Sequence, residues 1–150
     1  MLVPIILGSE KDKIFAQKIT MHLDEFKVPY KIMVASAHKV PELVLEIVQK
    51  YNESNEYICF ITIAGRSNGL SGLVAANSIH PCIACPPFAD KEDIMLNLYS
   101  SVIMPTDTPV LTVIDPQNAA LAAIRILALN NKELRQKIEK RIQSIKRSFK

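Results

Sequence analysis

The chain has 150 residues, 49% hydrophobic and 22% charged, enough for one domain with a substantial core and too few for two ordinary ones. Its formal charge of +3 is uneven: residues 131–150 hold eight Lys/Arg and two Glu, which leaves 10 basic and 13 acidic side chains in the first 130. A slightly acidic body argues against a broad nucleic-acid surface, no apolar run approaches the ~18 residues of a membrane span, and three cysteines are too few for a disulfide scaffold, which points to a reducing cytoplasm.

Met1 leads directly into the apolar run Leu2–Leu7, with no basic stretch before it and no small-residue cleavage site after it, so no secretory signal is expected. That run reads as a first strand, although Pro4 within it cannot donate a ladder hydrogen bond. A helix follows over about 11–26, with Phe15, Ile19, Leu23 and Phe26 near a 3.6-residue period. Strand Tyr30–Ala35 precedes a helix over 41–53, marked by Leu43, Ile47 and Tyr51. Strand Tyr57–Ile63 precedes a helix over 69–78, strand Pro81–Cys85 one over 91–101, and strand Val110–Ile114 one over 117–129. The strands are nearly continuous in apolar residues and rich in Ile and Val, the pattern of strands covered on both faces. Five strand–helix units in succession predict a parallel sheet with helices on both sides. Residues 1–130 form this body.

Residues 131–150 predict one more helix, an extension of the domain with its own apolar stripe. Leu134, Ile138, Ile142, Ile145 and Phe149 recur at spacings of four, four, three and four, with Lys and Arg over the rest of the surface. A lone helix of this length is marginal in water and needs a surface to pack on. Its own body, a neighbouring subunit, or an RNA or membrane contact would each serve.

Ligands of parallel α/β sheets sit beyond the carboxyl ends of the strands. The segments there read Gly8-Ser9-Glu10-Lys11-Asp12, Ser36-Ala37-His38-Lys39, Ala64-Gly65-Arg66-Ser67-Asn68-Gly69 and Pro86-Pro87-Phe88-Ala89-Asp90. Turn and cap chemistry alone accounts for Gly, Ser and Asn after a strand, but it does not call for a His-Lys pair or an Arg-Ser-Asn run. Ser9, Asp12, Ser36, Lys39 and the backbone around Gly65, Arg66 and Ser67 suit an anion bearing hydroxyls, helped by helix N-termini after the first three strands. Neither phosphate-loop nor dinucleotide glycine spacing is present.

His38, on a polar loop, suits proton transfer near neutral pH or a hydrogen-bonded structural role. His22 falls near the apolar stripe of the first helix, and His80 enters a strand from the opposite edge. Cys82-Ile83-Ala84-Cys85 has redox-motif spacing, but it lies in a short apolar strand, where residues three apart point to opposite faces. Without a second Cys pair it does not make a zinc site either, so no metal is expected.

Taken together, these loops resemble the PurE family, which carboxylates aminoimidazole ribonucleotide in purine biosynthesis. The resemblance runs from Val3 to about Leu129. It rests on Ser36-Ala37-His38-Lys39 and Ala64-Gly65-Arg66-Ser67-Asn68-Gly69-Leu70, supported by Cys85-Pro86-Pro87, Ser100-Ser101 and Met104-Pro105. One class of the family is a mutase that moves carboxylate from N5 to C4 and typically reads Ser-Ala-His-Arg with Gly-Gly-Ala-Ala-His. This chain looks like the other class, which uses CO2 directly. Two positions depart from the family: Lys11 stands where a second serine is usual, and Thr106-Asp107 where Ser-Gly is usual.

The resemblance implies a three-layer αβα, flavodoxin-like five-stranded sheet with an extra C-terminal helix. It also implies a cytoplasmic homo-oligomer, commonly an octamer, whose terminal helices reach adjacent subunits, with no nucleic-acid or membrane partner. The implied reaction converts 5-aminoimidazole ribonucleotide (AIR) and CO2 to 4-carboxy-5-aminoimidazole ribonucleotide (CAIR). An electron-rich enamine substrate makes ATP, biotin and metal unnecessary, so no cofactor is expected. By the same resemblance His38 moves the C4 proton and Ser9, Ser36 and Lys39 hold the phosphate end. Asp12 then takes the ribose hydroxyls, and Gly65, Arg66 and Ser67 face the imidazole or the incoming carboxylate. The alternatives are the mutase and, further off, a non-enzymatic nucleotide- or flavin-binding module.

Overall fold

In the computed structural model, which describes residues 1–149, five parallel strands alternate with helices along the chain. The strands are β1 (Val3–Leu7), β2 (Tyr30–Val34), β3 (Phe60–Ile63), β4 (Cys82–Ala84) and β5 (Val110–Thr112), in the spatial order β2-β1-β3-β4-β5. The helices are α1 (Lys13–Phe26), α2 (Pro41–Asn52), α3 (Gly69–Asn77), α4 (Lys91–Val102), α5 (Pro116–Leu127) and α6 (Lys132–Ser148). This is the flavodoxin-like three-layer arrangement with a sixth, C-terminal helix.

Alternate residues of each strand feed two cores. Val3, Ile5 and Leu7 join Ile61, Ile63 and Ile83 against α1 and α5, while Ile6, Phe60 and Cys82 pack against α2 and α3. The period-2 geometry that divides the strands also divides the Cys-x-x-Cys pair: Cys82 enters one core and Cys85 the other. Burial pushes both thiols, and that of Cys59, up to about 12, so all three stay protonated packing groups.

Pro4 sits in an interior strand, β1, at a defined place. Leu2 and Gly8 donate across the β1–β3 seam to the carbonyls of Tyr57 and Ile63, so Pro4 occupies a position where the same seam lacks a donor. Regular β1–β3 pairing accordingly runs only over Ile5–Leu7, beyond an isolated bridge between Leu2 and Ile58.

Burial on both faces holds for β1, β3 and β4 but not for the edge strands. Lys31 and Ile32 of β2 and Leu111 of β5 are exposed, because the strand order leaves those two with a neighbour on one side only. Strands three and five are also shorter than their apolar runs.

The predicted apolar stripe of α6 divides in two. Asn131 caps the helix by accepting from the Leu134 amide at 2.8 Å, and Leu134 is buried in the α1–α5 core with Ile138 packed beside it. Arg141 pairs with Glu25 and lies 5.7 Å from the Phe26 ring centroid, and Lys137 Nζ donates to the Phe26 carbonyl. The first half of the stripe therefore packs on the chain's own body, not on a neighbour. Ile145 and Phe149 remain 48% and 86% exposed. Lys150 lies outside the described residues.

Candidate functional site

The carboxyl ends of β1, β3 and β4 open onto a cleft of about 610 Å³ between α1 and α4. Four of the sequence-predicted residues, Ser9, Asp12, Gly65 and Arg66, line it. Ser36, His38, Lys39 and Ser67 do not line this cleft. The first three occupy the neighbouring loop after β2, with His38 and Lys39 exposed. The two loops nevertheless touch. A Cβ built on Gly69 would come within 3.2 Å of His38 Nε2, so the glycine leaves the room the imidazole occupies.

Helix N-termini contribute less to anion binding than expected, because local caps already use their amides. Ser9 Oγ accepts from the Lys11 amide and the Ser9 carbonyl from the Asp12 amide. In the His38 loop the Lys39 and Val40 amides both donate to the Ser36 carbonyl, and α2 then opens on Pro41, which has no N–H. Asn68 caps α3 through the Ser71 amide. Positive charge at the cleft comes instead from the side chains of Lys11, Lys18 and Arg66, none of which forms an ion pair among the described residues.

Asp12 and Asp93 stand on the cleft wall against these cations. Partial burial raises the Asp12 carboxyl above its ordinary range, and a hydrogen bond with the Ser9 backbone opposes the shift. Apolar wall is supplied by Ile14, Phe15 and Phe88, the two phenyl rings meeting edge to face at 6.2 Å. Charge for an anion, a carboxylate for hydroxyls and an aromatic side suit a small phosphorylated ring compound.

Helix α4 supports the loop after β3. Asn97 is buried, its Oδ1 accepting from the Arg66 amide and its Nδ2 donating to the Pro87 carbonyl at 2.5 Å. Ser100 Oγ donates to the Arg66 carbonyl, and Asn68 Nδ2 donates to Ser101 Oγ at 2.8 Å. Arg66 has φ 56°, in the left-handed region that non-glycine residues rarely occupy. Asp107 also lies there, at φ 61°, so the aspartate at the usual Gly position adopts the left-handed conformation.

The AIR carboxylase family profile matches residues 2–148. The chain belongs to the AIR carboxylase, or PurE, family. It is 42% identical over 134 residues to a phosphoribosylaminoimidazole carboxylase of Archaeoglobus fulgidus, covering 89% of this chain and 73% of that protein. It is 41% identical to an N5-carboxyaminoimidazole ribonucleotide mutase of Methanocaldococcus jannaschii, covering 99% of this chain and all of the relative. The crystal structure of Treponema denticola PurE superposes with a TM-score of 0.93 at 38% identity, over 99% of this chain and 93% of that one. Relatives of nearly equal identity thus carry both names, and family membership establishes an enzyme of purine biosynthesis without choosing between the two activities.

The residues that sequence reasoning missed are Lys18, Phe15, Phe88, Asp93 and Asn97. Phe15 and Lys18 share one face of α1 at helical spacing, a signal obscured because Phe15 also fits the core stripe. Asn97 gave no signal, since its partners lie 31 and 10 residues away.

Proposed function

We propose that this chain carboxylates AIR with CO2 to give CAIR, without ATP. One observation carries the reading: Ser36-Ala37-His38-Lys39 and Ala64-Gly65-Arg66-Ser67-Asn68, the loops whose residues distinguish the CO2-using class, adjoin at one sheet edge, with His38 against Gly69. C4 of the enamine attacks the carbon of CO2. A C–C bond forms, and one C=O π pair moves onto oxygen to complete the carboxylate. C4 then carries both hydrogen and carboxylate. His38 takes that proton, and the C–H pair restores the aromatic ring; the reverse reaction returns the proton.

The remaining work is orientation and exclusion of water around CO2. Ser9, Ser36 and Lys39 hold the phosphate, Asp12 the ribose hydroxyls, and Gly65, Arg66 and Ser67 the imidazole and new carboxylate. The enzyme works in the cytoplasm as a homo-oligomer, its assembly using the exposed end of α6. Because the first half of the α6 stripe packs on its own subunit, the exposed Ile145 and Phe149 are the part of the stripe left for that contact.

The second reading is the mutase, favoured by the full-length likeness to a protein of that name. Family membership leaves a non-enzymatic flavin-binding module with no observation in its favour. Incubation with AIR and bicarbonate in the absence of ATP tests the proposal. CAIR should accumulate, and an unchanged AIR pool would contradict it.

A further inference from the structure

We infer that Asn97 is a positioning residue that acts through Arg66. It fixes the Arg66 peptide in the left-handed conformation in which Arg66 lines the cleft.

A left-handed non-glycine residue is disfavoured on its own and persists only where its surroundings dictate it. Here both polar groups of the Arg66 residue are held by one helix: its amide by Asn97 and its carbonyl by Ser100, one turn further along the same face of α4. The Asn97 side chain is itself held on two sides, and its backbone on a third. Its Nδ2 is spent on the Pro87 carbonyl, so its oxygen must face the Arg66 amide. Its backbone carbonyl receives Ser101 Oγ at 2.7 Å, and its side chain lies against Gly65, where a Cβ would approach Nδ2 to 3.1 Å.

The amide of Asn97 therefore ties the cleft's floor, Gly65–Arg66, to its wall at Pro87. A buried amide whose two ends are hydrogen-bonded to separate loops connects them. Without the acceptor, the Arg66 peptide is released toward ordinary backbone geometry and its side chain leaves the cleft that it lines with Asp12 and Lys11. The mechanical part of this inference stands on the geometry alone; its effect on turnover rests on the AIR reading.

The full chain, unliganded, supports the first measurement: backbone amide exchange by NMR in the parent, Asn97→Ala and Asn97→Asp. Alanine removes the acceptor, so the Arg66 amide should exchange at least about 10-fold faster while Ile61 and Ile63 in β3 keep their protection. Aspartate keeps an acceptor for the Arg66 amide but sets a carboxylate oxygen against the Pro87 carbonyl, so it should slow that exchange only part of the way back. Unchanged exchange in the alanine variant overturns the inference. In the second measurement, Asn97→Ala should lower kcat/KM for AIR by roughly 10- to 100-fold, the scale of an ångström-level misplacement, and Asn97→Asp should lower it less. Fast exchange at Arg66 with parental turnover would overturn the link to function. A parent that does not convert AIR would instead sink the proposed reaction, and the exchange measurement would still decide the role of Asn97.

Discussion

His38 is exposed on the loop after β2, and the missing side chain of Gly69 leaves space for its ring. A residue so placed contributes little to packing, so replacing it separates chemistry from folding. His38→Asn should retain the parental melting temperature and bind AIR, while turnover falls at least about 100-fold, the usual scale of general acid–base catalysis. Near-parental turnover would remove His38 from the mechanism.

Asp12 allows a second test at the same scale. It makes no side-chain capping bond to α1, and burial raises its carboxyl above the ordinary range. With the folded-state pKa above the unfolded one, the native state binds the proton more readily. The contribution of Asp12 to stability therefore falls as pH rises through the window just above the normal carboxylate range. At neutral pH the ionised side chain opposes folding, and Asp12→Asn should melt at a higher temperature while binding AIR less well. Thermal melts at pH 7 that show a lower melting temperature would contradict this.

Ser9, Asp12, Gly65 and Arg66 were legible in sequence because strand ends in parallel sheets bring such loops to one edge. Asn97 was not legible, since an asparagine within a helix looks like a solvated residue until its partners in two other loops are known.

Among the elements, α6 shows how far periodicity reaches. Its stripe is real, and spacing alone placed all five apolar residues on one side. What spacing could not state is which surface receives them, because packing on one's own body and on a neighbour need the same pattern. Asn131, Glu25 and Phe26 make that choice for the first half, through a cap, an ion pair and a ring under Arg141.

The two halves should therefore respond differently to substitution. Leu134→Ala should cost about 2–5 kcal/mol of subunit stability in denaturant titrations, as for other fully buried leucines. Phe149→Glu should leave subunit stability unchanged and lower the oligomer mass seen by light scattering. Loss of mass with Leu134→Ala alone, or an unchanged mass with Phe149→Glu, would remove the far half of α6 from assembly. Edge strands were misread for a related reason: Ile and Val in β2 and β5 resemble buried-strand residues until strand order is known.

For the molecule as a whole, the sheet, its helices and the family were legible, because five strand–helix repeats and two motif loops survive as contiguous sequence. The activity class depends on less: the identities at Lys39 and in Ala64–Asn68, against relatives of nearly equal identity that carry both names. A carboxylase draws its carboxylate from dissolved CO2, whereas a mutase carries it over from N5 of its own substrate. The decisive measurement supplies unlabelled N5-carboxyaminoimidazole ribonucleotide together with isotope-labelled bicarbonate and follows label into CAIR at early times. CO2 use predicts CAIR at the isotopic fraction of the bicarbonate pool, formed no faster than the N5-carboxy compound decomposes to AIR. Rapid appearance of unlabelled CAIR would contradict it and make the chain a mutase.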